Sequence, residues 1–208
     1  ICGGRKNMRE NKSFKRLVIF AIAGIAALLV FSAMNVSAAP TAVIECDSTT
    51  DWTGYSATLH MDNSDYREWD GSIKVDGGSS GSMSVAAYNP SGTWDLSNDD
   101  YFVFWLKDSS SNTLTLAIEE SDTDEVQYTF TSSNTWKTHI IDISGHKTTP
   151  DDPAGDGVFD WTDVNRFWIG TKSVDTTFWL DYITIGDAKD FSKWNINKYE
   201  NVVRNVDK

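Results

Sequence analysis

YFVFWLKDSSSNTLTLAIEESDTDEVQYTFTSSNTWKTHIIDI, residues 101–143, is the stretch that decides the fold class. It holds four apolar runs, 101–107, 113–119, 126–130 and 136–143, rich in Val, Ile, Phe, Tyr and Thr. Branched and flat side chains of this kind favour extended backbone because they pack well on a pleated surface. Between the runs stand DSSSN at 108–112, SDTDE at 121–125 and SSN at 132–134. Asp, Asn and Ser bond to their own backbone and so make turns. A parallel pair needs a crossover of a dozen or more residues, usually a helix, so joints this short predict antiparallel pairing.

The same texture continues on both sides, at 42–46, 72–75 and 82–88 upstream and at 165–170 and 177–185 downstream, with DGGSSG at 76–81 and NPSG at 89–92 as joints. Many short strands at this spacing predict an all-β, antiparallel two-sheet β-sandwich, a jelly roll, over residues 39–185. Two segments stand apart. TTPDDPAGDGVFDWTD at 148–163 is a long acidic loop, and the polar tail 186–208 ends in NKYENVVRNVDK, a short helix or a free end.

The N-terminal part differs in kind. Residues 1–7 precede Met8 and read as a non-native or untranslated extension. From Met8 the order is basic residues, an uncharged apolar run over 17–34, then Val36, Ser37 and Ala38. This is the pattern of a secretory signal cleaved after Ala38, and the run is also long enough to stay as a membrane-anchor helix. The expected location is therefore secreted or cell surface, with membrane contact only through residues 8–38.

Charge sorts the chain the same way. The whole carries 18 basic and 30 acidic residues, a net −12. Six of those bases, Arg5, Lys6, Arg9, Lys12, Lys15 and Arg16, precede Ala39 against one acid, Glu10, so the remainder has 12 bases, 29 acids and a net −17. Such a body repels phosphate backbones, which excludes nucleic acid as a partner. Disorder is excluded by 12% aromatic and 40% hydrophobic residues. His60, His139 and His146 are too scattered for a zinc site, and Cys46, beside Asp47, reads as a core thiol rather than a nucleophile. The Gly-x-Ser-x-Gly match GGSSG at 77–81 lies in a joint between two strand runs rather than on a strand-to-helix turn, so it is not a nucleophile elbow.

Three pieces in order, IECDSTTDWTGYS at 44–56, WDLSNDDYFVFWLK at 94–107 with WKTHIIDIS at 136–144, and DWTDVNRFWIG at 160–170 with TFWLDYITI at 177–185, resemble galactose-binding-like jelly rolls used as carbohydrate-binding modules. The resemblance spans residues 43–185. It implies a structural calcium joining the first strand, a following loop and the last strand, with ligands Glu45 or Asp47, Glu68 or Asp70, and Asp181. Physically, Ca²⁺ takes hard oxygens, and Asp181 is a carboxylate inside an apolar strand, where an unpaired charge is costly. Leu180 and Ile183 both face inward only if a bulge falls near Asp181 and Tyr182. The alternative is that Asp181 caps an edge strand or pairs with Lys74 or Arg166.

Sugar rings stack their C–H faces on flat aromatic side chains. Trp105, Trp136, Trp168 and Trp179 lie within apolar runs and read as core, whereas Trp69, Trp94 and Trp161 have polar flanks and are the expected sugar platforms. Asp151, Asp152 and Asp156 form a weak second calcium candidate. The acids from Glu119 to Glu125 resemble a glycosidase cluster but fall at a hairpin tip, where they should splay into water. The reading is a non-catalytic module for an extracellular or cell-surface polysaccharide. The rivals are a structural subunit of a surface layer, filament or virion appendage, and, third, a glycoside hydrolase.

Overall fold

The computed structural model describes residues 40–68, 70–78, 83–171, 175–187 and 202–204. The chain divides into two units, Ile1–Ala38 and Ala39–Lys208, and every described residue belongs to the second. The expected signal or anchor, Trp69 and most of the tail lie outside the described residues.

Each expected run is a strand: β1 Ala42–Ile44, β4 Ser72–Gly77, β5 Ser84–Tyr88, β6 Tyr101–Asp108, β7 Thr113–Glu120, β8 Glu125–Thr131, β9 Lys137–Asp142, β10 Val164–Thr171 and β11 Thr177–Gly186. Three further strands are β2 Trp52–Tyr55, β3 Ala57–Asp62 and β12 Val202–Arg204. All three lie at sheet edges. β12 places a parallel strand against β9 inside the segment expected to be a helix or a free end.

Seven strands form one sheet in the order β12-β9-β6-β11-β4-β3, with β1 also paired to β11; five form the other, β2-β5-β10-β7-β8. Apart from β12 the pairings are antiparallel, and no helix occurs among the described residues. Two-residue alternation then divides each strand between core and surface. On β6, Phe102, Phe104 and Leu106 are fully buried; on β10, Phe167 and Ile169; on β11, Phe178 and Leu180. Phe102 meets Phe167 edge to face across the two sheets, with ring centroids 4.8 Å apart. His139 joins this interior, stacked on Phe104 and tilted against Phe130.

The bulge falls where the register of hydrophobic residues requires it. Pairing between β11 and β6 shifts between Asp181 and Thr184, Tyr182 takes φ 41°, and both Leu180 and Ile183 are buried. On its other edge β11 changes neighbour at the same point. Residues 177–180 pair with β4 and 183–185 with β1, so Asp181 sits at the junction.

Candidate functional site

The outer face of the five-stranded sheet can be read row by row from its register. Thr53, Ala87, Trp168, Ala117 and Gln127 form one row across β2, β5, β10, β7 and β8. Tyr55, Val85, Gly170, Thr115 and Thr129 form the next. Directly opposed residues share a face, so Trp168 stands outward between two alanines. Gly170 keeps the neighbouring row flat: a Cβ there would lie 2.7 Å from the Ser84 carbonyl and from Val85 Cγ2. The result is a depression of about 230 Å³ lined by Tyr55, Val85, Arg166 and Trp168.

Polar groups fix the two large side chains in this depression. The Trp168 indole N–H donates to Glu125 Oε1 at 2.9 Å, and Gln127 Nε2 donates to Glu125 Oε2 at 3.3 Å. Arg166 pairs with Glu119 and reaches the Tyr55 hydroxyl at 3.4 Å. Glu119 and Glu125 face each other across β7 and β8. Burial pushes the Glu119 carboxyl above its usual range, Arg166 pulls against this, and Glu125 adds to the upward push. A half-buried indole, its edge anchored and its face beside a shallow apolar pit ringed by donors and acceptors, suits a flat ligand carrying hydroxyl groups.

Solved structures agree on the architecture. A family 11 carbohydrate-binding module from Clostridium thermocellum, in complex with a β-1,3-1,4-mixed-linked tetrasaccharide, matches at TM-score 0.58 and 19% identity over 73% of this chain and 98% of the module. The chain has the jelly-roll fold of these binding modules. A xylan-binding domain from Paenibacillus barcinonensis matches at TM-score 0.51 and 11% identity, covering 73% of this chain and 97% of that one. An exo-β-agarase matches at TM-score 0.57 and 16% identity over 70% of this chain, which spans only 25% of the agarase. No family model matches the chain, and no curated protein matches it in sequence.

Within this fold the tryptophans exchange the roles that their sequence context suggests. Trp161, expected as a platform, is 5% exposed, packs on Phe159 and donates its N–H to the Lys147 carbonyl, so its ring belongs to the core. Trp94 is half-buried and stacked on Tyr88 and Phe167. Trp105, Trp168 and Trp179, expected in the core, point outward because they alternate with buried Phe, Leu and Ile neighbours. Trp136 is also half-buried, just before β9.

Trp179 and Trp105 lie on the outer face of the seven-stranded sheet, and this face is crowded. Lys74 and Lys107 flank Trp179 in register, their Nζ atoms 5.9 and 4.8 Å from its ring centroid, and Arg67 covers Trp105 at 4.9 Å. The Trp179 N–H donates to Asp62 and the Trp136 N–H to Asp65, which also pairs with Lys107. The Ser64 hydroxyl, aided by the Trp179 indole, holds the Asp62 carboxyl down at about 2.

The expected calcium ligands are only partly brought together. Asp181 is fully buried; its Oδ2 accepts the backbone N–H groups of Arg67 at 2.6 Å and Glu68 at 2.8 Å, and its Oδ1 has no hydrogen-bond partner. Burial raises its carboxyl to about 6, with the nearby Glu68 charge adding to the shift. Lys74 and Arg166, its possible partners by sequence, pair instead with Asp76 and Glu119. Glu45, Asp47 and Asp70 are exposed, and the three-carboxylate group close enough to share a cation among the described residues lies elsewhere. Cys46 is buried, its thiol pushed well up by that burial and then by Asp181.

That group is Glu120, Asp122 and Asp124, with ligand atoms all within 4.8 Å of one another. The hairpin acids splay into water only in part: Asp122 is exposed, but the 148–163 loop folds against the others, leaving Glu120 4% exposed and Asp124 fully buried. The loop contributes its amides rather than its acids. Asp151 and Asp156 are exposed, their carboxylates accepting from Gln127 N–H and Val158 N–H respectively. Asp152, also exposed, forms an isolated bridge to Glu125 through backbone.

Proposed function

We propose that the chain is an exported, non-catalytic carbohydrate-binding module that takes an extracellular or cell-surface polysaccharide across the outer face of the five-stranded sheet. The observation that carries this reading is Trp168, held by Glu125 beside the depression it shares with Tyr55, Val85 and Arg166. A pyranose C–H face would stack on the indole, and Arg166, Glu119, Glu125 and Gln127 would exchange hydrogen bonds with its hydroxyls. Export is supported by the basic, apolar and small-residue order of residues 8–38.

Calcium fits the Asp181 position in part. The unpartnered, fully buried Oδ1 and the nearby Glu68 carboxylate are hard oxygen ligands, while Glu45, Asp47 and Asp70 are exposed. Bound there, calcium would supply charge neutralisation and rigidity where β11 changes neighbour.

The proteins of like fold name the first ligands to try: mixed-linkage β-glucan, xylan and agarose. Affinity electrophoresis and tryptophan fluorescence on this panel, with and without EDTA, should show retardation and a spectral shift on at least one polysaccharide. No response to any glycan, with formation of a calcium-dependent polymer, would favour the structural subunit. Release of reducing ends from a bound glycan would make the chain a hydrolase.

A further inference from the structure

The tip of the β7–β8 hairpin brings three acids and the 148–163 loop together. Glu120 ends β7, Asp122 lies in the turn, and Asp124 precedes β8. The loop reaches over with its backbone: Ala154 and Gly155 N–H donate to Asp124 Oδ1 at 2.8 and 2.7 Å, and Gly157 N–H to Oδ2 at 2.7 Å. Asp156 N–H donates to Asp122 Oδ2 at 2.9 Å, and Asp160 N–H to Glu120 Oε2 at 2.8 Å. Gly155 passes so close that a Cβ would strike the Asp122 carboxyl.

These bonds leave one strong acceptor unused. Glu120 is 96% buried by its 4% exposure, and its Oε1 has no partner. Its carboxyl faces Asp122 and Asp124, whose negative charges, after burial, push it up to about 7. The basic groups on adjoining segments are committed elsewhere, Arg166 to Glu119 and Lys147 to Asp151. Oxygens on opposite sides of one Ca²⁺ stand about 4.6–5.2 Å apart, twice a bond of about 2.3–2.6 Å. The three carboxylates offer oxygens within 4.8 Å of one another, which fit around one such ion. Asp122 is exposed, which opens a route for the ion and for the waters that complete its coordination.

We propose that Glu120, Asp122 and Asp124 form a calcium-type cation site whose occupant fastens the 148–163 loop to the β7–β8 hairpin. The ion bridges charges that otherwise repel and takes up the buried Glu120 oxygen. The site is separate from Asp181, which lies on the other sheet, and its existence does not depend on glycan binding.

Calcium titration calorimetry on the full chain, alongside Asp122→Asn and Asp181→Asn, tests the site. Asp122→Asn changes an exposed side chain and should fold. It should weaken by at least about tenfold a calcium-binding event that Asp181→Asn retains. Hydrogen exchange at the amides of Ala154, Gly155 and Gly157 should slow on adding calcium and return to the EDTA rate in Asp122→Asn. Calcium binding unchanged by Asp122→Asn, no calcium binding by the wild type, or exchange at these amides insensitive to calcium would each overturn the proposal.

Discussion

The two outer faces of the sandwich carry the same kind of residue under different conditions. On the five-stranded sheet, Trp168 stands between Ala87 and Ala117 with its edge tied to Glu125 and a shallow pit beside it. On the seven-stranded sheet, Trp179 is flanked by Lys74 and Lys107, and Trp105 is covered by Arg67. An outward indole alone therefore does not make a binding surface. Small neighbours leave room for a ligand ring, whereas cations placed over the indole occupy the same space and use its π-face for stability.

Because both faces share one core, the largest expected effect should remove both at once. His139 is 2% exposed, and burial lowers its pKa to about 4, Lys137 adding to the fall. The unfolded chain, near the ordinary 6.5, takes up a proton first, so acidification from about pH 6.5 to about pH 4 should cost up to about 3 kcal/mol. The contribution of this residue is full above that window and lost below it, while the raised carboxyls of Asp181 and Glu120 act in the opposite sense as they protonate. Urea unfolding from pH 7 to pH 4 checks this, and His139→Leu should flatten the part of the slope owed to this residue.

The comparison itself is tested by truncating one indole on each face. Trp168→Ala should weaken binding of a responding polysaccharide by about 100-fold, equivalent to about 2.7 kcal/mol, with little change in melting temperature. Trp179→Ala should leave that affinity within about twofold and lower stability by about 1–2 kcal/mol instead, as the flanking lysines lose their partner. Equal loss of affinity in both variants would mean that both faces bind.

A smaller effect probes the crowded face alone. Asp65→Asn removes the charge that pairs with Lys107 while keeping an acceptor for the Trp136 N–H. The pair is partly exposed, so denaturant unfolding should show a loss of about 0.5–1 kcal/mol, with glycan affinity unchanged.

Much of this was legible in the chain, and specific residues show where legibility stopped. The bulge at Asp181 and Tyr182 followed from the need to bury both Leu180 and Ile183. The outward direction of Trp105, Trp168 and Trp179 was equally legible from the buried residues on either side, but apolar surroundings suggested core. Polar flanks misplaced Trp161, whose N–H finds its partner in a carbonyl 14 residues earlier. β2 and β3 carry little pattern to read: β2 buries only Trp52, and no residue of β3 is fully buried.

By itself, the sequence determined the strand-rich fold class, the contrast between a basic N-terminal stretch and an acidic remainder, and the place where β11 must bulge, because these depend on local periodicity and composition. Only the tertiary structure decided which tryptophan stands beside a pit and which lies under cations, since that depends on the residues that neighbouring strands place next to it. Tertiary structure likewise joined the hairpin acids to amides some 30 residues downstream, where Asp124 meets Ala154, because only folding brings such distant groups within hydrogen-bond range.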